Sequence, residues 1–280
     1  MKNLTAVTCS AALLALAGCW SAPGTDVPGS LSIYSSGAAP SGAFPSGSTY
    51  LMEGGRVTRV YPGWALISAR GAARWLPGRD TRAPVRVMAK NHEYRLPESC
   101  YSGSGPQAAL SPSGRYFACL DGIDPTRVLV SDLKEHQPTF KMLASDAIPQ
   151  ITKSIAFVNE TTVAYLVRAS KTCDSHDPLV NASALVLVKV DGTSERTNIC
   201  ATAVLGAGDH GIVVGRKDEL GAWKYSIDSG ATWRPGFAIG YANNVVLTID
   251  RKGDLVAGGR VVYHGPVDAV TWGWRQLDRR

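Results

Sequence analysis

The 280-residue sequence lacks any apolar run long enough to cross a membrane as a helix. The run from Ala6 to Ala17 is short, follows a positive start at Lys2 and ends in small residues, which is typical of a secretory signal rather than an anchor. Motifs for a nucleophile elbow, a phosphate loop and a dinucleotide site are also missing. The sequence therefore gives no ground for predicting a membrane-spanning helix, a cofactor or a nucleotide-dependent enzyme.

The sequence also has few windows in which apolar residues recur at the spacing of a helix. The best helical window, Leu133 to Leu143, is interrupted by Pro138. Short β-rich runs alternate instead with turn dipeptides such as Asp191-Gly192, and these runs are 56–61, 65–68, 116–120, 128–130, 154–158, 162–167, 184–190, 211–214, 244–249 and 260–263. Their pairing at a repeat of roughly forty residues predicts an all-β fold, a β-propeller of about five or six blades. A β-sandwich plus a small β domain is the alternative.

Charge is present but not concentrated. The chain has 29 basic and 23 acidic residues, a net charge of +6, and no dense basic run. A solvated surface accounts for this charge balance. A mildly basic surface could also face anionic lipid or an acidic protein, whereas nucleic-acid binding is not predicted.

The end of the signal carries the most specific motif of the chain. Leu16-Ala17-Gly18-Cys19 resembles the lipobox of bacterial lipoproteins. The resemblance implies that residues 1–18 are a signal peptide and that Cys19 is lipidated and becomes the first mature residue. An ordinary signal with an accidental cysteine is the alternative. Trp20, rather than the Asp that marks inner-membrane retention, favours the periplasmic side of the outer membrane.

A change of composition follows the lipobox. From Ser21 to about Ser48 the chain is rich in Gly, Ser, Pro and Ala and has very few charges. Such a segment buries too little apolar area to offset its ordering entropy. We therefore expect a flexible tether over residues 19–48 and one β-propeller-like domain over residues 49–280.

Four cysteines remain after the signal and Cys19 are set aside: Cys100, Cys119, Cys173 and Cys200. An even number in an exported chain predicts two disulfides, for which three connectivities exist. We favour the local pairs Cys100–Cys119 and Cys173–Cys200. A four-cysteine zinc site would need a C-x-x-C spacing that the chain lacks. Cys173-Asp174-Ser175-His176-Asp177 collects potential metal ligands, but beside a disulfide it favours a turn, and no metal site is predicted.

The segment from Ser226 to Trp233 resembles the Asp box of sialidases and other propellers, Ser-x-Asp-x-Gly-x-Thr-Trp. Its matching residues are Ser226, Asp228, Gly230, Thr232 and Trp233. Asp228 suits a tight turn because it can accept backbone N–H groups, Gly230 because it tolerates positive φ, and Trp233 can pack between strands. The resemblance implies a structural hairpin at the propeller periphery, so Asp228 is not predicted to be catalytic.

Two weaker resemblances also favour a propeller. The segment 68–78 shares the ending Trp75-Leu-Pro-Gly78 with Trp233-Arg-Pro-Gly236, and we interpret it as a degraded second Asp box. Ser111-Pro-Ser-Gly-Arg115 is similar to the Ser-Pro-Asp-Gly-Lys turn of TolB-type and WD-like propellers, with Ser113 where Asp is usual.

One segment hints at an enzyme. Tyr94-Arg95-Leu96-Pro97 is similar to the Phe/Tyr-Arg-Ile-Pro segment of sialidases, whose Arg grips the substrate carboxylate. The resemblance makes Arg95 a possible ligand-binding residue. The further arginines, the Tyr nucleophile with its Glu and the Asp acid of a sialidase cannot be assigned, so no catalytic residue is predicted.

The expected function is therefore protein binding by a lipid-anchored envelope protein, not catalysis. An immunity lipoprotein that neutralises a periplasmic toxin such as a phospholipase, and an envelope assembly factor, are the two roles that we consider. A sialidase-like hydrolase is the enzymatic alternative.

Overall fold

The computed structural model describes residues 30–35, 48–53, 56–62, 65–68, 71–76, 86–89, 92–95, 108–121, 126–135, 139–147, 155–167, 173, 183–218, 220–242, 245–264, 267 and 269–273. Before residue 108 the description is of the backbone, apart from Tyr50, and this also holds for residues 242 and 269–273.

Every regular element of the described residues is a β-strand. The strands are β1 (Ser30–Ser35), β2 (Ser48–Glu53), β3 (Arg56–Pro62), β4 (Ala65–Ser68), β5 (Gly71–Leu76), β6 (Arg86–Ala89), β7 (His92–Arg95), β8 (Ala108–Leu110), β9 (Tyr116–Asp121), β10 (Thr126–Asp132), β11 (Lys141–Ala147), β12 (Ile155–Phe157), β13 (Thr162–Val167), β14 (Ser183–Lys189), β15 (Ser194–Ala201), β16 (Ala203–Gly208), β17 (Gly211–Lys217), β18 (Trp223–Ser226), β19 (Arg234–Pro235), β20 (Phe237–Ala242), β21 (Val245–Ile249), β22 (Leu255–Ala257), β23 (Arg260–Tyr263) and β24 (Ala269–Gly273). Within these residues no helix has the length and apolarity that spanning a membrane requires.

The strands form antiparallel sheets in which neighbours in sequence pair. Four sheets are four-stranded, with the orders β4-β5-β6-β7, β16-β17-β18-β19, β20-β21-β22-β23 and β24-β1-β2-β3. An eight-stranded sheet contains β8–β11 and β12–β15, which are joined by the residue pair Ala147–Val167 of β11 and β13. The late strand β24 pairs with the early strand β1, placing Val270 opposite Ile33. This pairing ties the two ends of the described chain together.

The first strands of these groups contact one another in a closed series. β4 contacts β8, β8 contacts β12, β12 contacts β16, β16 contacts β20, β20 contacts β24, and β24 contacts β4. The first strands thus lie innermost, and the later strands of each group lie further out. Tyr50 of β2 and Tyr263 of β23, with ring centroids 6.2 Å apart, pack between two neighbouring sheets.

The strand order also separates two faces of the molecule. In a four-stranded meander the first and third turns lie at one end and the second turn lies at the other. We call the first end the Asp-box face, which carries the turns 111–115, 158–161 and 227–233, and the second end the opposite face, which carries the turns 218–222 and 250–254. Because β1 is antiparallel to the innermost strand β24, it begins at the Asp-box face.

The apolar core lies between neighbouring sheets. Leu166 and Leu185 of the eight-stranded sheet pack with Val204 and Val214 of the next sheet, and Trp233 covers their edge. Leu205 and Val213 pack in turn against Ala238 and Tyr241 of the following sheet. Each four-stranded group is thus stabilised by burial against its neighbours, since a single meander cannot bury its own apolar face.

The all-β prediction is confirmed, and the ten predicted runs fall on strands. The tether prediction is wrong for Ser30–Ser35, because β1 lies inside residues 19–48 and pairs with both β2 and β24. Leu31 and Ile33 alternate with serines in β1, which is the period-2 pattern of a strand with one apolar face. The low charge and the flanking Gly and Pro residues concealed it.

Thirteen other strands of the described residues also lie outside the ten predicted runs, and two of them were missed for a different reason. β11 (Lys141–Ala147) and β15 (Ser194–Ala201) are largely exposed and rich in polar side chains. Both are the last strands of their groups, where charged residues are common because they discourage pairing with another molecule. Their sequences therefore resemble loops, and only the pairing shows that they are strands.

Candidate functional site

The Asp box forms the turn between β18 and β19, the third and fourth strands of their sheet. Ser226, whose side chain is fully buried, donates its Oγ hydrogen to Asp228 Oδ1 at 2.6 Å and accepts the N–H of Gly230 at 2.8 Å. Asp228 Oδ1 also accepts the N–H of Thr232 at 2.9 Å, and Thr232 Oγ1 donates to Asp228 Oδ2. The motif residues thus satisfy one another within a single turn.

This hairpin is also bound to the rest of its sheet. Ser229 exchanges two hydrogen bonds with Ile212 of β17: its N–H donates to the carbonyl at 3.0 Å, and its Oγ accepts the N–H at 2.9 Å. A Cβ on Gly211 would lie 2.4 Å from Ser229 Oγ, so this close approach requires glycine. Gly230 has a φ of +87°, which glycine alone adopts without strain.

The charge and the aromatic ring of the Asp box both point to a structural role. Hydrogen bonds from Ser226, and then from Thr232, hold the pKa of Asp228 far below its ordinary value. Trp233 packs against the apolar cluster of the neighbouring sheet, and the Arg216 guanidinium lies 3.9 Å from its ring centroid. Asp228 is thus an ionised carboxylate whose two oxygens accept hydrogen bonds from other residues of its own turn.

The segment 68–78 does not occupy an equivalent position. Its described residues are Ser68, the last residue of β4, and 71–76, which form β5; these are the first and second strands of their sheet, whereas the Asp box joins a third and a fourth strand. Our interpretation of 68–78 as a second Asp box is therefore wrong. Trp75 lies within a second strand, β5, whereas Trp233 directly precedes a fourth strand, β19.

A repeat is nevertheless present, at the opposite face. Asp218, in the turn between β17 and β18, accepts through Oδ1 the N–H of Leu220 at 3.1 Å and that of Ala222 at 2.8 Å. Asp250, in the turn between β21 and β22, accepts those of Lys252 at 2.8 Å and Asp254 at 3.0 Å.

The backbones of the two turns also agree. The Asp218 N–H donates to the Ala222 carbonyl at 2.8 Å, and the Asp250 N–H donates to that of Asp254 at 3.0 Å. Each turn has a glycine of positive φ at its fourth position, Gly221 at +76° and Gly253 at +86°. The shared pattern Asp-x-x-Gly in the second turn of adjacent sheets is a signal that sequence reasoning could have found.

The Ser111 turn joins two groups of strands across the Asp-box face. Glu160, in the turn between β12 and β13, accepts hydrogen bonds from Ser111 Oγ at 3.0 Å, from the Ser113 N–H at 2.9 Å and from Ser113 Oγ. Ser111 is fully buried. The hydroxyl that replaces the usual Asp at position 113 thus meets a carboxylate from the neighbouring group.

The structure contains the predicted disulfide Cys173–Cys200, with the Cα atoms 5.5 Å apart. Cys119 is also disulfide-bonded, but Cys100, its predicted partner, lies outside the described residues, as does Cys19 with the whole lipobox. Since Cys173 is oxidised, it supplies no thiolate to the group 173–177. Within the described residues no three potential metal ligands cluster.

Arg95 lies at the end of β7, the fourth strand of its sheet, where it pairs with Arg86 of β6. Three strand spacings separate β7 from the innermost strand β4, about 14 Å of backbone. The description of Arg95 is of its backbone alone, so its role as a possible ligand-binding residue stays a prediction.

The ionic and polar pairs that were not anticipated from the sequence include three more that each contain an aspartate. The buried Asp121 pairs with Arg127 on the next strand, and no described residue forms a hydrogen bond with Asp121 Oδ1. His264 Nδ1 lies 2.8 Å from Asp254 Oδ2. Tyr165 donates to Asp146 at 3.0 Å, and burial together with the Asp146 charge raises the pKa of this tyrosine well above its ordinary value.

None of these pairs includes a residue of the described innermost strands. Those strands contain Ala, Leu, Ile, Phe, Val, Gly, Ser, Thr, Trp and Tyr, and their sequences are ALIS (β4), AAL (β8), IAF (β12), AVLGAG (β16), FAIGYA (β20) and AVTWG (β24). Tyr241 of β20 is the one side chain of an ordinarily ionisable type in these described strands, and burial raises its pKa. These described innermost strands are therefore mostly apolar in composition.

Comparison with known proteins identifies a similarity of fold. No protein-family model matches the chain, and no curated protein matches its sequence. The crystal structure of TolB from Acinetobacter baumannii is similar with a TM-score of 0.54 and 11% sequence identity, over 89% of this chain and 67% of that chain. The structure of the uncharacterized protein lmo1340 from Listeria monocytogenes EGD-e gives a TM-score of 0.46 and 10% identity, over 85% of this chain and 79% of that chain. TolB has a β-propeller, and at this identity the similarity concerns the fold alone.

Proposed function

We propose that the chain is a six-bladed β-propeller of the bacterial envelope, held by lipid at Cys19, that binds a protein partner and catalyses no reaction. Six groups of four described strands, with β24 completing the group of β1, β2 and β3, support the blade count. The contacts of the innermost strands support closure of the ring. A closed ring leaves few strand edges and presents rigid turns at both faces.

The apolar composition of the innermost strands carries the proposal. General acid-base or nucleophilic catalysis requires ionisable groups placed near their working pKa, and hydrolytic sites collect several of them. The described innermost strands supply Tyr241 alone, and burial holds its proton in place. Tyr165, whose pKa is raised beside Asp146, is likewise the reverse of an activated nucleophile. Rigid turns on a closed ring of strands suit the recognition of another protein's surface.

The first experiment tests binding. Full-length protein with a C-terminal affinity tag is purified from detergent-solubilised envelopes after brief crosslinking, and its co-purifying proteins are identified and then reconstituted from pure components. We expect one stoichiometric partner with a defined dissociation constant. A toxin as partner would favour neutralisation, and an assembly component would favour the second role. The absence of any reconstitutable partner would contradict the proposal.

The second experiment tests the absence of catalysis and the anchor. We expect no release of sialic acid from a fluorogenic substrate by the wild-type protein, and turnover that Arg95→Ala abolishes would overturn the assignment. We also expect labelled fatty acid on the wild-type chain and none on Cys19→Ser, because acylation needs the thiol. Equal labelling of the two proteins would remove the anchor from the proposal.

A further inference from the structure

Leu220 is the most exposed large apolar side chain of the described residues, with 93% of its surface open to solvent; Met142, at 55%, is the other such residue. Leu220 lies at the tip of the turn 218–222 on the opposite face. Single exposed leucines are ordinary on protein surfaces, so exposure alone carries little weight. Two further observations support a role for Leu220: the fixed geometry of its turn, and the shared Asp-x-x-Gly pattern of the turn 250–254.

The turn holds Leu220 in a defined position. Asp218 accepts the N–H of Leu220 itself and that of Ala222, and its Oδ2 forms an ion pair with Lys224 Nζ at 2.9 Å. Gly221 supplies the positive φ that closes the turn. A side chain presented by an ordered turn loses little backbone entropy on binding, which is what a docking residue requires.

The sister turn shows what this backbone requires at that position. Lys252 occupies the place of Leu220, with the same hydrogen bond from its N–H to the leading aspartate. The turn therefore folds with a charged, solvated side chain at its tip. Leu220 contributes nothing that the fold needs, since it covers no core residue.

The surface beside Leu220 is suited to protein recognition. Trp223 follows the turn in β18, and its ring centroid lies 4.7 Å from that of Phe237. Lys217 Nζ lies 5.2 Å above the Trp223 ring. Lys224 already neutralises Asp218, and the exposed Lys217, the last residue of β17, is available to an acidic group of a partner. An apolar anchor beside an aromatic residue and a cation has the composition of an interface hot spot.

We propose that Leu220 docks into an apolar pocket of a partner protein whose pocket rim carries carboxylates that meet Lys217; this inference rests on the proposed function. The position of the N-terminus favours a protein over the chain's own membrane. β1 begins at the Asp-box face, so the predicted lipid-bearing segment joins the domain there, whereas Leu220 lies at the opposite face. Leu220 thus points away from the side on which the anchor enters.

The test uses the full chain and the partner recovered with the wild-type protein in the pull-down above. Dissociation constants for that partner are measured for Leu220→Lys, which copies the sister turn, for Leu220→Met, and for Lys252→Ser as the matched control at the other turn. We expect Leu220→Lys to weaken binding at least about thirtyfold, Leu220→Met by less than about fivefold, and Lys252→Ser hardly at all. Lys217→Glu should lower the association rate, with a deficit that shrinks as salt is added.

Melting temperatures complete the test, because Leu220→Lys should leave them unchanged. Wild-type affinity of Leu220→Lys, or an equal loss in Lys252→Ser, would overturn this inference and leave the proposed function standing. Failure of the wild-type protein to retain any partner would overturn both. Binding of Cys19→Ser protein to vesicles of phosphatidylcholine and phosphatidylglycerol that Leu220→Lys abolishes would show that a membrane, rather than a protein, is the occupant.

Discussion

Strand β18 has an aspartate-organised turn at each end, and the two turns use the same chemistry for different purposes. At the opposite face, Asp218 accepts two backbone N–H groups and the turn leaves Leu220 in solvent. At the Asp-box face, Asp228 accepts the N–H of Thr232 and the turn directs Trp233 onto the neighbouring sheet. In both turns the aspartate fixes the backbone. The position of the apolar residue decides whether that residue packs on a neighbouring sheet, as Trp233 does, or is exposed to solvent, as Leu220 is.

The largest difference is expected when the apolar side chain of each turn, Trp233 or Leu220, is removed. Trp233→Ala should lower the free energy of unfolding by about 2–4 kcal/mol, because a half-buried ring between two sheets and its contact with Arg216 are lost. Leu220→Ala should change it by less than about 0.5 kcal/mol. Denaturant titration of both variants measures the difference, and equal losses would show that Leu220 packs in the folded protein.

Removal of Asp228 should also destabilise the protein more than removal of Asp250, the leading aspartate of the turn 250–254 on the opposite face. Asp228→Ala should lower the melting temperature by roughly 3–8 °C, because Ser226, which is fully buried, and Thr232 lose their shared acceptor. Asp250→Ala, in an exposed turn of the opposite face, is the matched control and should lower it by less. Calorimetry measures both. A loss of partner affinity in Asp228→Ala without a loss of stability would contradict the structural assignment of the Asp box.

Glu160 extends the comparison to a second turn of the Asp-box face. Glu160→Ala should cost about 1–2 kcal/mol, because it removes the acceptor that joins the Ser111 turn to the neighbouring group of strands. Glu135→Ala, at an exposed turn residue, should cost less than about 0.5 kcal/mol. Urea unfolding of the two variants distinguishes them. Stability of Glu160→Ala equal to that of Glu135→Ala would mean that the contact adds nothing.

The smallest effect expected is on acid stability. Hydrogen bonds hold the pKa of Asp228 below its ordinary value, so the folded protein binds fewer protons than the unfolded chain as pH falls. The stability that this carboxylate contributes is present above about pH 5 and is lost progressively below about pH 4. Asp228→Asn should therefore flatten the acid side of the stability curve. An unchanged slope between about pH 5 and 2.5 would contradict this assignment of the shift.

Prediction from sequence succeeded where the local pattern and the tertiary environment agree. Thr162–Val167 is buried along its whole length in the middle of a sheet, and its β-branched, apolar composition predicted a strand. The strand Ser194–Ala201 failed because an outer strand exposes its side chains and needs a sequence that resembles a loop. The segment 68–78 failed because an ending of four residues carries no information about which strands it joins.

The features of the candidate site were likewise predictable from the sequence only where they depend on neighbouring residues. The Asp box was recognisable because its residues bond to one another within eight positions, so the motif contains its own geometry. The contact of Glu160 with Ser111, 49 positions apart, has no local pattern that could reveal it. The exposure of Leu220 was equally hidden, because an apolar residue in a turn gives no sign of whether another sheet covers it.

The sequence by itself determined the all-β composition and the turn chemistry of Asp228, since each depends on residues close together in the chain, and it favoured the pairing of Cys173 with Cys200 among three connectivities. The tertiary structure alone decided that β1 joins β24, that the innermost strands contact one another in a closed series, and that Trp233 packs against a core cluster while Leu220 is exposed. These features arise from contacts between distant segments. Burial of apolar surface drives such contacts, and it is non-directional, so local patterns do not specify which segments meet.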